Sequence, residues 1–179
     1  MSPSTEQHRR EAPSSVACLV VTVSDTRTAE TDKSGQLARE LLEGGGHTVV
    51  GNVIVPDEYE RIRALLREAA ADPAVEAVLL NGGTGIAGRD TTCEAVQSLL
   101  TKEMPGFGEI FRMLSYTEDI GSAAILSRAV AGAIGGTAVF SMPGSTGAVR
   151  LAMTRLVVPE LGHVMRELRK DAPRNGAGS

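Results

Sequence analysis

Tryptophan is absent from the sequence, other aromatic residues are scarce, and basic residues are not in excess. Aromatic residues make up 3% of the 179 residues, which disfavours a surface for single-stranded nucleic acid, where bases stack on exposed rings. The formal net charge is -4 at pH 7, whereas phosphate backbones are held mainly by clustered lysine and arginine. We therefore expect no nucleic-acid partner.

Signals for export, membrane insertion and zinc binding are missing as well. The start of the chain is polar, and the apolar run 16–24 is much shorter than the roughly 20 residues that span a membrane. Cys18 and Cys93 are therefore expected to be reduced thiols of a cytoplasmic protein with no membrane partner. The 3 histidines have no cysteine or carboxylate at ligand spacing, which disfavours a zinc site.

Strand-like and helix-like segments alternate in the first part of the chain. Short apolar or β-branched runs predict strands, and apolar residues at helical spacing predict helices. The strands are 16–24, 47–55 and 75–80, and the helices are 34–46, 58–72 and 91–100. This alternation is typical of βαβ units on a parallel sheet.

The second half of the chain extends the predicted sheet. Residues 103–128 are expected to be helical around their middle, and the runs 127–134 and 137–142 flank a glycine pair that predicts a tight hairpin. The remaining residues predict helix with a break at Pro159. We expect an α/β fold of three layers, a mostly parallel sheet with helices on both faces and a small hairpin at the edge.

No internal repeat or linker divides the chain. Residues 1–15 and 171–179 contain too few apolar residues to offset the entropy of ordering them. We therefore expect one domain over 16–170 between two disordered tails.

Glycine is concentrated in two stretches, 82–88 and 135–147. The first lies in NGGTGIAGRDTT (81–92), after a predicted strand and before a helix, where α/β sheets bind their ligands. Glycines let backbone N–H groups approach an anion, and a helix N-terminus adds a favourable dipole. The pattern contains G-x-G-x-x-G, but a dinucleotide fingerprint belongs to the first strand-helix turn and needs a later acidic residue, which is missing. No Walker A pattern occurs, so the stretch predicts another kind of phosphate loop or, alternatively, only a tight turn.

Acidic residues follow the predicted strands at the same edge of the sheet. They are Asp25 beside Ser24 after the first strand, Asp57 after the second, and Asp90 at the mouth of the glycine loop. A carboxylate repels a bound phosphate unless a cation lies between them, so the combination predicts Mg²⁺ with phosphate. Each acid alone is also compatible with a solvated turn. Thr91 and Glu94 fit a capping box at the start of the next helix.

The second glycine-rich stretch, SMPGSTGAVR (141–150), also joins an apolar strand to a helix. It offers backbone N–H groups and the hydroxyls of Ser141, Ser145 and Thr146. The G-x-S-x-G elbow of hydrolases is absent, and no acid-histidine pair is placed to activate a serine. Two anion-binding loops indicate a ligand with several phosphates or two ligands side by side.

Five segments together resemble the MoaB/MogA family of molybdenum cofactor biosynthesis. They are VPDE (55–58), NGGTGIAGRDTTCEAV (81–96), MPGFGEIFRMLSY (104–116), ILSRAVAG (125–132) and MPGSTGAVRLAM (142–153). The resemblance runs from about residue 16 to 168, and the GGTG-x-x-x-RD-x-T motif combined with a PGS loop is specific. The stretch 104–128 is more similar to the MoaB branch than to the MogA branch.

The resemblance implies an α/β domain, usually a homotrimer, that binds the pterin dithiolene molybdopterin. Active family members use Mg²⁺ and ATP to transfer AMP to its terminal phosphate, and pyrophosphate leaves. By motif, Asp57 and Asp90 are the implied catalytic and metal-binding residues. The implied nucleotide-binding residues are Gly82, Gly83, Thr84 and Gly85, and the implied molybdopterin-binding residues are Ser24, Ser141, Pro143, Gly144 and Ser145.

Two positions depart from the family pattern, because Cys93 and Thr146 stand where proline is common. Neither change removes an implied ligand. A non-catalytic molybdopterin-binding paralogue is the alternative function, since some MoaB-branch members are thought not to adenylylate. A CinA-related pyrophosphatase shares the domain but normally carries a further C-terminal domain.

Overall fold

Six strands form one mixed sheet in residues 12–170, the part of the chain that the structure, a computed structural model, describes. The strands are β1 (Ala17–Val23), β2 (Thr48–Val55), β3 (Ala77–Asn81), β4 (Lys102–Glu103), β5 (Val130–Ile134) and β6 (Thr137–Met142). Their order across the sheet is β2-β1-β3-β6-β5-β4. The first four strands in this order are parallel, whereas β5 and β4 are antiparallel to their neighbours.

Helices connect the parallel strands and cover both faces of the sheet. They are α1 (Lys33–Gly44), α2 (Tyr59–Ala71), α3 (Thr92–Gln97), α4 (Pro105–Glu118), α5 (Thr146–Ala152) and α6 (Val158–Leu168). A short 3₁₀ helix (Gly121–Leu126) follows α4. No helix among the described residues is both long and apolar enough to cross a membrane.

The hydrophobic core lies in two layers, one on each face of the sheet. Alternate residues of a strand point to opposite faces, so Val20 and Val21 of β1 belong to different layers. The helices α1, α4, α5 and α6 pack on the face that carries Val20, and α2 and α3 pack on the other. The predicted three-layer α/β architecture is therefore confirmed.

The end of the sheet differs from the prediction in one respect. The strands β5 and β6 do form the expected antiparallel hairpin, but β6 also pairs with β3, and β4 is the outermost strand on that side. With only two residues, β4 is too short to show an alternating pattern in the sequence.

The predicted break at Pro159 is wrong. The chain stays helical from α5 into α6 through a π-helical turn over Met153–Val157. Pro159 lies just after the π-helical turn, so its missing backbone N–H falls where the hydrogen-bonding pattern changes from π-helical to α-helical. The predicted helix 91–100 is also shorter than expected, since α3 ends at Gln97.

The parallel arrangement positions the site. Because β1, β2, β3 and β6 run in the same direction, the loops that follow them meet at one edge of the sheet. These loops contain the predicted acidic residues, the glycines after β3, and Pro143, Gly144 and Ser145 after β6. Residues 1–11 and 171–179, most of the two predicted disordered tails, lie outside the described residues.

Candidate functional site

Asp57 lies in the loop after β2 and contacts the glycine loop that follows β3. Its Oδ1 accepts hydrogen bonds from the backbone N–H of Thr91 at 3.2 Å and from Thr91 Oγ1 at 3.1 Å. Its Oδ2 lies so close to Gly83 that a Cβ there would be 2.5 Å away. The structure thus brings the predicted acid and the predicted phosphate loop into direct contact.

Asp90 closes the glycine loop from its other end. Its Oδ2 accepts a hydrogen bond from the backbone N–H of Ala87 at 2.8 Å. The same oxygen would lie 2.5 Å from a Cβ at Gly85. Each predicted acid therefore lies in close contact with a glycine of the same loop. A side chain larger than hydrogen at either glycine would displace the loop or the carboxylate.

The start of this loop adopts backbone conformations that favour glycine. The φ angles of Gly82 and Gly83 are 109° and 62°, in the left-handed region. A Cβ at Gly82 would also lie 2.2 Å from the carbonyl oxygen of Val23, at the end of β1. Glycine is needed at Gly82 and Gly83 because of these dihedral angles, and at Gly82 also because neighbouring backbone approaches closely.

The predicted capping box at Thr91 and Glu94 is wrong. Thr91 makes no side-chain capping bond to α3, and its hydroxyl and its N–H both donate to Asp57. Glu94 instead forms an ion pair with Arg128, which lies just before β5. Tertiary partners have replaced the local pairing that the pattern predicted.

Arg128 is a site residue that the sequence did not indicate. Its guanidinium donates to the carbonyl oxygen of Thr84 at 3.3 Å and to that of Asp90 at 2.8 Å, in addition to its contact with Glu94. The hydrogen bond to Glu94 raises the pKa of Arg128 above its usual value. Since its partners are backbone carbonyls from a distant segment, no local pattern could have revealed it.

Cys93 is buried at the first turn of α3, as expected, and is a free thiol like Cys18. Its Sγ donates to the carbonyl oxygen of Arg128 at 2.8 Å. Burial raises the pKa of the Cys93 thiol to about 11, and the negative charges of Asp57 and Asp90 add to the effect against the opposing charge of Arg128. The thiol is therefore protonated and weakly nucleophilic at neutral pH.

The loop after β6 lies beside the glycine loop. Ser145 is the N-cap of α5, and its Oγ accepts the N–H of Ala148 at 3.2 Å. A Cβ at Gly144 would lie 3.0 Å from the Cα of Gly82. Ser141 is fully buried within β6, and its Oγ has no hydrogen-bond partner in the part of the chain that the structure describes.

Ser24 and Asp25 lie at the same edge of the sheet, after β1. The Oγ of Ser24 accepts N–H groups of the turn that follows, from Thr26 at 3.2 Å and Arg27 at 3.1 Å. Asp25 accepts the N–H of Asp57 at 3.1 Å and pairs with the exposed Arg89 at 2.7 Å. Ser24 therefore stabilises a turn, and Asp25 connects the loop after β2 with the loop after β3.

A buried network of polar side chains lies next to the loops that follow β1 and β3. Its members are Thr22, Asp32, Ser34 and Asn81, each at most 2% exposed. Asp32 is also the N-cap of α1, accepting the N–H of Gly35 at 3.0 Å. Arg27 connects the network to the second loop, since it contacts Ser34 and donates to the carbonyl oxygen of Gly144 at 2.9 Å. These residues were not predicted, because Thr22 and Asn81 lie in or at the end of apolar strands and the others resemble ordinary turn and cap residues.

One cavity of about 330 Å³ lies between the two glycine-rich loops. Thr84 and Gly85 line one side, Pro143 and Gly144 line the other, and the segment around the 3₁₀ helix adds an apolar wall. Such a volume is at the lower end of the usual range for small-molecule sites. Ser24, Ser141 and Ser145 are not among its lining residues.

Comparison with known proteins identifies relatives over nearly the whole chain. Residues 19–163 match the family model described as "Probable molybdopterin binding domain". Molybdenum cofactor biosynthesis protein B of Halalkalibacterium halodurans is 66% identical over 168 residues, which cover 94% of this chain and 99% of the relative.

Solved structures agree with the sequence comparison. A crystal structure of a molybdenum cofactor biosynthesis protein B matches with a TM-score of 0.87 at 58% identity, covering 89% of this chain and 99% of that one. The tungsten cofactor synthesizing protein MoaB from Pyrococcus furiosus matches with a TM-score of 0.79 at 38% identity, covering 88% and 99%. Both the expected family and its MoaB branch are therefore supported by independent comparisons of sequence and fold.

Proposed function

This chain belongs to the MoaB/MogA family of molybdenum cofactor biosynthesis proteins, and we propose that it transfers AMP from ATP to the terminal phosphate of molybdopterin. In this reaction a phosphate oxygen of molybdopterin attacks the α-phosphorus of ATP. The bond from that phosphorus to the oxygen bridging to the β-phosphate breaks, and pyrophosphate leaves with the bonding electrons. The nucleophile is already an anion, so no strong general base is needed.

The observation that carries the proposal is the pair of carboxylates against one glycine loop. Asp57 Oδ2 and Asp90 Oδ2 would each lie 2.5 Å from a Cβ at Gly83 and Gly85, respectively. The backbone N–H groups of such a loop suit the nucleotide phosphates, and we assign Gly82, Gly83, Thr84 and Gly85 to them. The N–H of Gly82 already donates to the carbonyl oxygen of Met142, so Gly82 contributes by its compact backbone. Carboxylates this close to bound phosphate need a cation to offset the repulsion.

The residues present fit Mg²⁺. Among the described residues, Asp57 Oδ2 has no hydrogen-bond donor, and the nearby Thr92 Oγ1 is buried without a partner. Within residues 12–170 no three Asp, Glu, His or Cys side chains cluster closely enough to hold a metal by themselves. Mg²⁺ is commonly held by one or two carboxylates together with substrate phosphates, so Asp57 and Asp90 suffice. When bound, it would supply positive charge that offsets the charge of the phosphates.

The second loop is assigned to molybdopterin. Gly144 and Pro143 line the cavity shared with the nucleotide loop, so a ligand phosphate there would lie next to the nucleotide. We include Ser24, Ser141 and Ser145 as molybdopterin-binding residues. Ser141 is fully buried, so it must become exposed to contact a ligand. Ser24 Oγ accepts a hydrogen bond within its turn, and this bond must change before Ser24 can bind a ligand. ATP as substrate and the reduced thiols are consistent with a cytoplasmic reaction.

Removing the charge of each acid tests the proposal. Asp57→Asn and Asp90→Asn keep the size and most hydrogen bonds while removing the charge that attracts Mg²⁺, so turnover should fall ~10²–10³-fold. Adenylylated molybdopterin is measured after incubation with molybdopterin, ATP and Mg²⁺, and molybdopterin affinity is measured in the same preparations. Asp72→Asn is the matched control, because Asp72 also accepts a turn N–H, from Ala74 at 2.8 Å, but lies beyond α2.

Three results would separate the competing functions. A folded Asp90→Asn protein that adenylylates normally would refute the metal-phosphate site. Wild-type protein that binds molybdopterin without Mg²⁺-dependent turnover would be the non-catalytic paralogue. Hydrolysis of a nucleotide pyrophosphate in the absence of molybdopterin would instead favour the pyrophosphatase.

We also propose that the chain forms a homotrimer. Apolar side chains remain exposed along one side of α4 and beyond it: Ile110, Met113, Tyr116, Ile120, Ile125 and Leu126. Met113 is 56% exposed and Tyr116 61% exposed, which is typical of a surface covered by another chain. Light scattering should give three times the mass of the chain, and Met113→Glu should reduce it; a stable wild-type monomer at micromolar concentration would refute the trimer.

A further inference from the structure

The stretch from Thr84 to Asp90 contains few internal hydrogen bonds. Inside it the N–H of Asp90 donates to the carbonyl of Ala87 at 3.0 Å, and the N–H of Ala87 donates back to Asp90 Oδ2 at 2.8 Å. Its residues 86–89 are exposed, and it contains two glycines. Such a segment loses much conformational entropy when it is ordered, so an external contact is needed to hold it.

Apart from the exposed ion pair of Arg89 with Asp25, Arg128 supplies such contacts at both ends of the stretch. Its Nε donates to the carbonyl oxygen of Thr84, and its Nη2 donates to that of Asp90. The remaining Nη1 pairs with Glu94, one turn into α3. One planar group thus joins the first residue of the stretch, its last residue and the following helix.

The backbone of Arg128 is held by the same helix. Cys93 Sγ donates to its carbonyl oxygen at 2.8 Å, so adjacent residues of α3 hold both the main chain and the side chain of Arg128. The side chain of Arg128 is about 30% exposed, and all three of its guanidinium nitrogens have partners in the site. Its orientation is therefore determined before any ligand binds.

We propose that Arg128 is a positioning residue of the adenylyl-transfer site, which holds residues 84–90 in the conformation that presents Asp90 and the loop N–H groups to the nucleotide. This inference rests on the proposed function. Arg128 acts through Thr84 and Asp90, and the reacting atoms are contacted by the loop. Glu94 orients the guanidinium, which explains why an apparent capping residue turns away from its helix.

Arginine and lysine differ in a way that tests the role. Lysine keeps the positive charge but offers a single rotatable ammonium, so it cannot hold the three acceptors in one plane. An electrostatic role near the phosphates would be largely retained in Arg128→Lys, whereas a positioning role would be lost in both Arg128→Lys and Arg128→Gln. Arg169→Gln is the control, because Arg169 also pairs with a glutamate of another element, Glu76, at the opposite edge of the sheet.

The first measurement is hydrogen exchange of peptides covering residues 84–92 in the ligand-free proteins. We expect exchange at least tenfold faster in Arg128→Gln, an intermediate increase in Arg128→Lys and a change within twofold in Arg169→Gln. Unchanged exchange in Arg128→Gln would overturn the proposal. This readout does not depend on whether the protein is an enzyme.

The second measurement is adenylyl transfer together with binding. We expect kcat/KM for Mg²⁺-ATP to fall 10–100-fold in both Arg128 variants, with the Kd for molybdopterin within twofold of wild type. Faster exchange without any loss of kcat/KM in an active enzyme would overturn the positioning role, and activity retained in Arg128→Lys alone would make the role electrostatic.

Failure of the proposed function would be recognised separately. If wild type forms no adenylylated molybdopterin, the proposed function is wrong. The Kd for α,β-methylene-ATP with Mg²⁺ then decides the role of Arg128: a tenfold weaker Kd in both variants supports loop positioning, and an unchanged Kd overturns it.

Discussion

Gly83→Ala tests whether the glycine loop must lie directly against Asp57. A Cβ at this position would be 2.1 Å from Thr92 Oγ1 and 2.5 Å from Asp57 Oδ2. Because the optimal separation of non-bonded heavy atoms is about 3.5 Å, the loop or the Asp57 carboxylate must move by roughly 1 Å. The φ angle of +62° is a second obstacle, since alanine disfavours it.

The expected magnitudes follow from these two effects. The left-handed backbone costs alanine about 1–2 kcal/mol, and the forced displacement adds about 1–3 kcal/mol. A total of about 3 kcal/mol would lower Tm by roughly 6–12 °C in a domain of this size. A displacement of roughly 1 Å at Asp57 should reduce kcat/KM for Mg²⁺-ATP about 100-fold.

Gly88→Ala is the matched control in the same loop. A Cβ at Gly88 would meet no heavy atom within 4 Å, and its φ angle is not in the left-handed region. Adenylyl transfer and calorimetric Tm should therefore stay close to wild type. Wild-type turnover in Gly83→Ala, or an equal loss in Gly88→Ala, would refute the close-contact argument.

Three further predictions concern Cys93, the pair of acids and His47. Cys93→Ser should leave turnover within about tenfold, or ~1.4 kcal/mol, because burial raises the thiol pKa to about 11 and the hydroxyl can still donate; a larger loss would indicate a thiol function. Asp57→Asn combined with Asp90→Asn should turn over little more slowly than either variant, and multiplied losses would mean that the acids act independently. Burial lowers the pKa of His47, so the unfolded chain binds a proton first and stability should fall as pH drops below about 6.5. In calorimetry at pH 7.5 and 5.5, His47→Asn should lose less Tm than wild type, and an equal loss would contradict this.

The parallel part of the fold was predictable because its strands are strongly apolar and regularly spaced. The run 75–80 predicts β3, and all five residues of β3 are buried. The position of Asp57 after β2 then placed it correctly at the edge where Asp90 lies, since parallel strands end together. The short β4 and the π-helical turn carry no pattern of comparable length.

The remaining site residues depend on tertiary contacts that a local pattern cannot represent. Thr91 and Glu94 have the spacing of a capping box, but Asp57 and Arg128 bind them instead. A charge-assisted contact can outcompete a cap worth about 1 kcal/mol. Asn81 ends an apolar strand and becomes identifiable as a support of the site only when its side chain is seen to bind β1 and α1.

The contact between Gly82 and Gly144 has a thermodynamic consequence. A Cβ at Gly144 would lie 3.0 Å from the Cα of Gly82, and the N–H of Gly82 donates to the carbonyl of Met142 at 3.0 Å. With no side chain between them, a shift of one backbone is transmitted directly to the other. The contact is therefore a route by which nucleotide can change the affinity for molybdopterin, and linkage requires molybdopterin to change the affinity for nucleotide by the same factor. Titrations of each ligand in the presence of the other should therefore give the same cooperativity, whichever ligand is added first.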